Sequence, residues 1–155
     1  MKVEYINPIV EASKNVINQI TGFNPSLGKI YKKTIPYSVD AVVVLIGLTG
    51  QIQGSVNISL NRNLALKIVS AMMGGMEVKE LDEIAKSAIS ELCNMILGNA
   101  ATIFYSNNIS IDITPPIIMT GTNIEISQAN SVVISIPLNF DNGDKLELDI
   151  SYKEK

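Results

Sequence analysis

Two stretches decide the fold when one is set above the other: AVVVLIGLTGQIQGSVNISL at residues 41–60 and SVVISIPLNFDNGDKLELDI at 131–150. Without a gap, Val42, Val44 and Ile46 meet Val132, Ile134 and Ile136, and Val56, Ile58 and Leu60 meet Leu146, Leu148 and Ile150. Apolar residues at alternate positions put one face of each strand in a core. Turn residues interrupt both stretches, GLTG at 47–50 and DNGD at 141–144. Each therefore reads as a β-hairpin, and hairpin strands pair antiparallel.

Helical segments accompany the hairpins. Residues 6–21 (INPIVEASKNVINQIT) carry Ile9, Val10, Val16, Ile17 and Ile20 at helical spacing. Pro8 is expected in the first turn, where a missing N–H costs nothing, and Gly22 and Pro25 stop the helix. A second helix is expected from a cap at Asn61 or Asn63 to about Met73, ended by Gly74 and Gly75. A third runs from near Asp82 to about Tyr105. Further strands are expected at 28–34 on an edge, and at 110–114, 123–127, 131–138 and 145–151. The hairpin that the first stretch belongs to is placed at 40–60. The fold class is α+β, an antiparallel β-sheet with helices.

Aligning Gly22 with Gly98 places Asn18 on Asn94, Asn15 on Glu91 and Glu11 on Ser87. A helix followed by a hairpin thus occurs twice in the same order. This points to two pseudo-symmetric halves, residues 6–75 and 80–152, within a single domain of residues 1–155.

Composition removes several function classes. With 46% hydrophobic and 17% charged residues the chain can bury an ample core. It has no histidine, so a Ser-His-Asp or Cys-His site is excluded, and the commonest metal ligand is missing. Its one cysteine, Cys93, forms no internal disulfide and reads as packed. Net charge is −3, which argues against nucleic acid. The small basic cluster Lys29, Lys32 and Lys33 reads as a solvated strand surface. No apolar run approaches the ~20 residues that span a bilayer. The start, MKVEYINPIVEA, lacks the apolar core of a signal peptide, so a cytoplasmic protein with no membrane insertion is expected.

The third helix carries the unusual feature. In SAISELCNMILGNA (87–100), Ser87, Glu91, Asn94 and Gly98 fall within about 60° of one another at 100° per residue. Ala85, Ala88, Ile89, Leu92, Met95 and Ile96 take the opposite side. Asn94 and Gly98 disfavour a helix interior by roughly 0.5 and 1 kcal/mol against Ala. Functional sites are one common cause of such local conflict. The alternative is a wet stripe, with Gly98 allowing close packing of the chain on itself.

The pattern S-x-x-x-E-x-x-N-M-I-x-G resembles the signature of the CheC/CheX/FliY phosphatase family of bacterial chemotaxis. GLTGQIQGSVNIS at 47–59, AMMGG at 71–75 and IDITPP at 111–116 extend the resemblance over roughly residues 5–152. The family's CheC branch usually carries E-x-x-N on both repeat helices. Here Asn15 stands where the first would have its carboxylate, which points to the single-site CheX branch. Ser87 departs from a position that is often acidic.

The resemblance implies hydrolysis of the aspartyl phosphate on a phosphorylated CheY-like response regulator. The regulator would supply the phosphoryl group, a Mg²⁺ and a lysine, so this chain would bind no cofactor of its own. Asn94 would position the attacking water through its amide, which both donates and accepts. Glu91 would pair with the regulator's lysine, with Ser87 and Gly98 on the partner-binding surface. The resemblance also implies a homodimer formed by pairing sheet edges. The rival readings are a non-catalytic regulator-binding or flagellar-switch-type module, and a structural dimer whose Glu91 and Asn94 make only internal contacts.

Overall fold

The computed structural model describes residues 3–34, 37–38, 41–127 and 132–154. The chain begins with α1 (Val3–Thr21), β1 (Ser26–Leu27), β2 (Tyr31–Lys33) and β3 (Tyr37–Ser38). The first hairpin, β4 (Val42–Gly50) and β5 (Ile52–Leu60), leads into α2 (Arg62–Met72) and α3 (Glu83–Ser106). Then come β6 (Ile111–Ile113), β7 (Ile117–Thr120), β8 (Glu125–Ile126) and the second hairpin, β9 (Val133–Asn139) and β10 (Lys145–Glu154).

The two hairpins meet in the middle of one antiparallel sheet. Its order is β1-β9-β10-β5-β4-β6, with β2 also on β9 and β7 also on β4. The central pair β5–β10 runs in register from Leu60↔Leu146 to Ile52↔Glu154. About that pair the order is symmetric: a split outer strand, a hairpin, a hairpin, a split outer strand. The outer strands are exchanged. β1 and β2 precede the first hairpin but pair with the second, and β6 and β7 precede the second but pair with the first.

Alternation sets the core. Val44, Ile46, Ile58, Ile136 and Leu148 are fully buried on the face that meets the helices, where they join Ile9 and Ile17 of α1 and Ile96 of α3 in one cluster. The α+β antiparallel architecture agrees with the sequence reading; several details differ. Helix α1 starts at Val3, so Pro8 lies inside it rather than in its first turn and gives up one helical hydrogen bond there. Of GLTG, Gly47 and Leu48 pair with β5 and only Thr49 and Gly50 lie beyond the last β4–β5 pair, where they pair with β6 instead. Strand β4 continues to Gly50, whose φ is +100° and whose Cβ, were there one, would meet the Ser110 carbonyl at 2.8 Å. Of the edge segment expected at 28–34 only 31–33 is strand, as β2; a further short strand, β1 at 26–27, precedes it, and both pair with β9. Residues 123–127 do not complete the main sheet: β8 pairs with β3 in a separate two-stranded ribbon. Strand β7 was not foreseen, since the Pro115–Pro116 pair reads as an end rather than as a break between two strands on the same partner. Asp40 and Ser131, the first residues of two expected strands, lie outside the described residues.

Lys33 is also not the solvated residue its sequence neighbours suggest. Its ammonium sits 2.9 Å from Asp149 and 3.5 Å from Glu147, with its side chain 9% exposed. Tyr31 and Ser135 donate hydroxyl hydrogen bonds to the same Glu147 carboxylate. Burial alone would lower the Lys33 pKa, but the hydrogen bond and charge of Asp149 with the charge of Glu147 outweigh it and hold it above the ordinary value. Burial raises the Asp149 carboxyl despite Lys33. For Glu147 burial is outweighed by Tyr31, Lys33 and Ser135, which hold it below its ordinary value. Lys145 approaches Glu147 only at 3.8 Å with its own side chain about half exposed, so removing Lys33 leaves Asp149 without its cation and Glu147 with that weaker one alone. Lys33→Ala is therefore expected to lose about 3 kcal/mol of stability in urea unfolding at neutral pH. A change below about 0.5 kcal/mol, typical of an exposed pair, would contradict this burial.

Candidate functional site

Helix α3 is 24 residues long. Asp82 caps it, its carboxylate accepting the Ala85 N–H at 2.9 Å, and Glu83 in the first turn suits the positive end of the helix dipole. Ile89, Leu92, Cys93, Ile96, Leu97 and Phe104 are all within 1% of complete burial. That face seats the helix and leaves the opposite stripe to solvent.

The structure brings the four singled-out residues onto this open stripe. Ser87 and Glu91 are exposed, and Asn94 and Gly98 are half-buried. Glu91 and Asn94 are successive along the stripe, about 4.5 Å apart in helical rise. Among the described residues neither side chain has a hydrogen bond or ion pair. The nearest lysine in sequence, Lys86, pairs instead with Glu83 at 3.3 Å. Among the described residues a structural role through internal contacts therefore has nothing to act through. Gly98 does not serve close packing within the chain either: a Cβ there would meet no atom within 4 Å.

The matching positions on α1 behave differently. Glu11, Asn15 and Asn18 are exposed. Asn18, however, is engaged: its amide donates to the Phe23 carbonyl at 3.2 Å. Gly22, at φ +78°, sends its N–H to the Asn18 carbonyl at 2.8 Å and ends the helix. Asn18 thus serves the helix terminus. Asn94 lies mid-helix, with α3 continuing to Ser106, and its amide is left over.

Cys93 is fully buried, and burial pushes its thiol up to about 12, so it holds almost no thiolate at neutral pH. Among the described residues no group of three or more acidic, cysteine or histidine side chains is placed to hold a metal ion. No helix among them is long and apolar enough to cross a membrane. A cavity of about 250 Å³ beside Phe23, Leu64, Lys67 and Phe140 has none of the four stripe residues in its lining. What α3 offers is a charge and an amide on an open surface, suited to a reacting group carried in by another molecule. The sequence reading stopped at Gly98, although the same three- and four-residue spacing continues to exposed Ile84 and Tyr105.

The open space at Gly98 has a measurable consequence. Gly98→Ala is expected to raise stability by about 1 kcal/mol, since it adds helix propensity without a clash. Urea unfolding checks it; a destabilised variant would mean that the glycine is needed for packing.

The chain matches, over residues 42–139, the family model described as "Chemotaxis phosphatase CheX". It is 36% identical over 156 residues to the CheY-P phosphatase CheX of Thermotoga maritima, covering 99% of this chain and 98% of that one. Among solved structures it resembles the chemotaxis protein CheX of Desulfovibrio desulfuricans, with TM-score 0.87 and 26% identity over 97% of this chain and 100% of that one. It also resembles the CheX of Borrelia burgdorferi in the CheX–CheY–beryllium fluoride–magnesium complex, with TM-score 0.84 and 28% identity over 99% of this chain and 100% of that one.

Proposed function

The chain belongs to the CheX family of chemotaxis phosphatases, and from that premise we propose that it hydrolyses the aspartyl phosphate of a CheY-like response regulator at the α3 stripe. The observation that carries the residue assignment is the pair Glu91 and Asn94. They are adjacent on an open helix face and have no partner among the described residues.

An acyl phosphate is already reactive, so the catalyst need not supply a nucleophile. The regulator brings the phosphoryl group, its Mg²⁺ and an active-site lysine. Docking places α3 across that site. Glu91 pairs with the regulator's lysine, a contact that becomes stronger as the interface excludes water. Asn94, one turn on, reaches the phosphoryl group. Its carbonyl oxygen accepts a hydrogen bond from the incoming water while its amide N–H₂ donates one to a phosphoryl oxygen. This holds the water in line with phosphorus. Water attacks phosphorus, the bond to the aspartate oxygen breaks, and the regulator's carboxylate leaves with its electron pair. Inorganic phosphate is the product. Ser87 and Gly98 flank the pair, and the missing side chain at Gly98 lets the regulator's surface approach Asn94.

Positioning of this kind accounts for about a hundredfold acceleration if it lowers the barrier by about 2.7 kcal/mol. Phosphate release from a freshly phosphorylated regulator tests the assignment. Asn94→Ala is expected to lose about a hundredfold in kcat while still binding the regulator. Glu91→Ala is expected chiefly to raise KM, and Asn18→Ala to remain active. Full activity in Asn94→Ala would remove the water-positioning role. Tight binding by the wild type without any acceleration would make the chain a binding module.

We further propose that the chain works in the cytoplasm as a homodimer joined through sheet edges. The split outer strands β1/β2 and β6/β7 support this, for outermost strands offer main-chain groups to another copy. Recovery in the soluble fraction at twice the monomer mass in sedimentation agrees with it. A membrane-pelleted or monomeric chain contradicts it.

A further inference from the structure

The open stripe of α3 does not end with the polar residues. Ile84 precedes Ser87 by three residues, and Thr102 and Tyr105 follow Gly98 by four and seven. At 100° per residue all seven positions fall within about 80° of one another. Asn94 lies near the middle, ten residues from Ile84 and eleven from Tyr105. Along the helix axis these are about 15 Å and about 16 Å.

Both ends of the stripe are apolar and open. Ile84 is 67% exposed and Tyr105 is 75% exposed. Ile84 shares its end with Met76, itself 68% exposed. Together with Met73 and Val78 they form the apolar part of a groove of about 460 Å³ between the end of α2 and the start of α3, whose lining also includes Glu77, Lys79, Glu80 and Asp82. Methionine side chains adapt to the shape of what enters such a groove.

The polar middle is poorly equipped to hold a partner by itself. Glu91 has one charged contact to offer, while the hydroxyl and the amide exchange hydrogen bonds with water for hydrogen bonds with the partner, at small net gain. Apolar contact must supply the rest of the affinity. A standard interface buries about 800 Å² per partner, a disc of about 16 Å radius. Centred on Asn94, its rim falls on Ile84 at one end and on Tyr105 at the other.

We propose that Ile84, with Met76 beside it, and Tyr105 are the apolar anchors on which the regulator's receiver domain docks, and that they fix its orientation over Asn94. This rests on the phosphatase reading and adds to it the residues that select the partner. The occupant is the receiver domain because the anchors are continuous with Glu91 and Asn94 on one face. Any molecule that brings a phosphoryl group to Asn94 covers the stripe on both sides. The cognate receiver is expected to carry apolar side chains on either side of its phosphorylation site. Ile84 and Tyr105 touch no reacting atom; they are positioning residues.

The test uses the full chain and the receiver domain of the regulator, loaded with beryllium fluoride and magnesium for binding and phosphorylated for turnover. Ile84→Gln, Tyr105→Gln and the double variant replace exposed side chains with a good helix former, so the core is untouched. The double variant is expected to raise Kd and KM by about tenfold or more, with kcat at saturation within about twofold of wild type. Val3→Gln removes a side chain of similar exposure on α1 and is expected to leave Kd unchanged. A double variant that binds within about twofold of wild type overturns the anchors while leaving the phosphatase intact. A fall in kcat with unchanged Kd overturns them too. A wild type that neither binds the loaded receiver nor speeds phosphate release overturns the anchors and the phosphatase reading together.

Discussion

The buried face of α3 is the contact on which the rest of the structure depends. Ile89, Leu92, Ile96, Leu97 and Phe104 lie almost wholly out of water. At about 1.5–3 kcal/mol for each fully buried side chain, these five contribute roughly 8–15 kcal/mol. Keeping Asn94 and Gly98 in the helix instead of Ala costs about 1.5 kcal/mol. One face thus stabilises the helix several times over, and the opposite stripe is released from any duty to the fold. A charge, an amide and a glycine can stand there without internal partners. The same burial silences Cys93, whose thiol is pushed up to about 12.

The sheet supplies the platform for that helix through an exchange of edges. Each hairpin is flanked by the split strand that precedes the other hairpin in the chain. The two ends of the sheet therefore form together with its centre, where β5 pairs with β10. On the face away from the helix cluster, Lys33 closes a polar group with Asp149, Glu147, Ser135 and Tyr31. Lys33 and Tyr31 lie on β2, Ser135 on β9 and the two carboxylates on β10. That group ties the exchanged edge strand to the neighbouring hairpin with charge-assisted hydrogen bonds, which are stronger than neutral ones.

How much of this is legible in the sequence depends on the range of the forces involved. The hairpins and α3 are written in local periodicity, and the Asp82 cap and the DNGD turn are local chemistry. The edge exchange is not local: nothing near Lys33 announces that Asp149 lies across the sheet. Strand β7 is hidden for the same reason, since its pairing with β4 is decided by a distant segment while its neighbours Pro115 and Pro116 read as a stop. The most instructive pair is Asn18 and Asn94. Both stand four residues before a glycine. After Gly22 the sequence FNP cannot continue a helix, so the glycine turns left-handed and Asn18 serves the terminus. After Gly98 the sequence NAATIF can, so the glycine stays helical and Asn94 is left open. The difference between a structural and an available asparagine lies in the residues that follow the motif.

The account assigns to this chain no nucleophile, only the placement of a water on another protein's phosphoryl group. The most direct test is a single turnover of the phosphorylated regulator with excess chain in oxygen-18 water, quenched in acid and read by mass spectrometry. The account predicts one oxygen-18 atom in the released phosphate, none in the regulator's aspartate, and this chain never phosphorylated. Label in the aspartate would mean attack at carbonyl carbon rather than in line with phosphorus. A phosphorylated residue on this chain, at Ser87 or elsewhere, would mean a covalent mechanism. Either result would contradict the account.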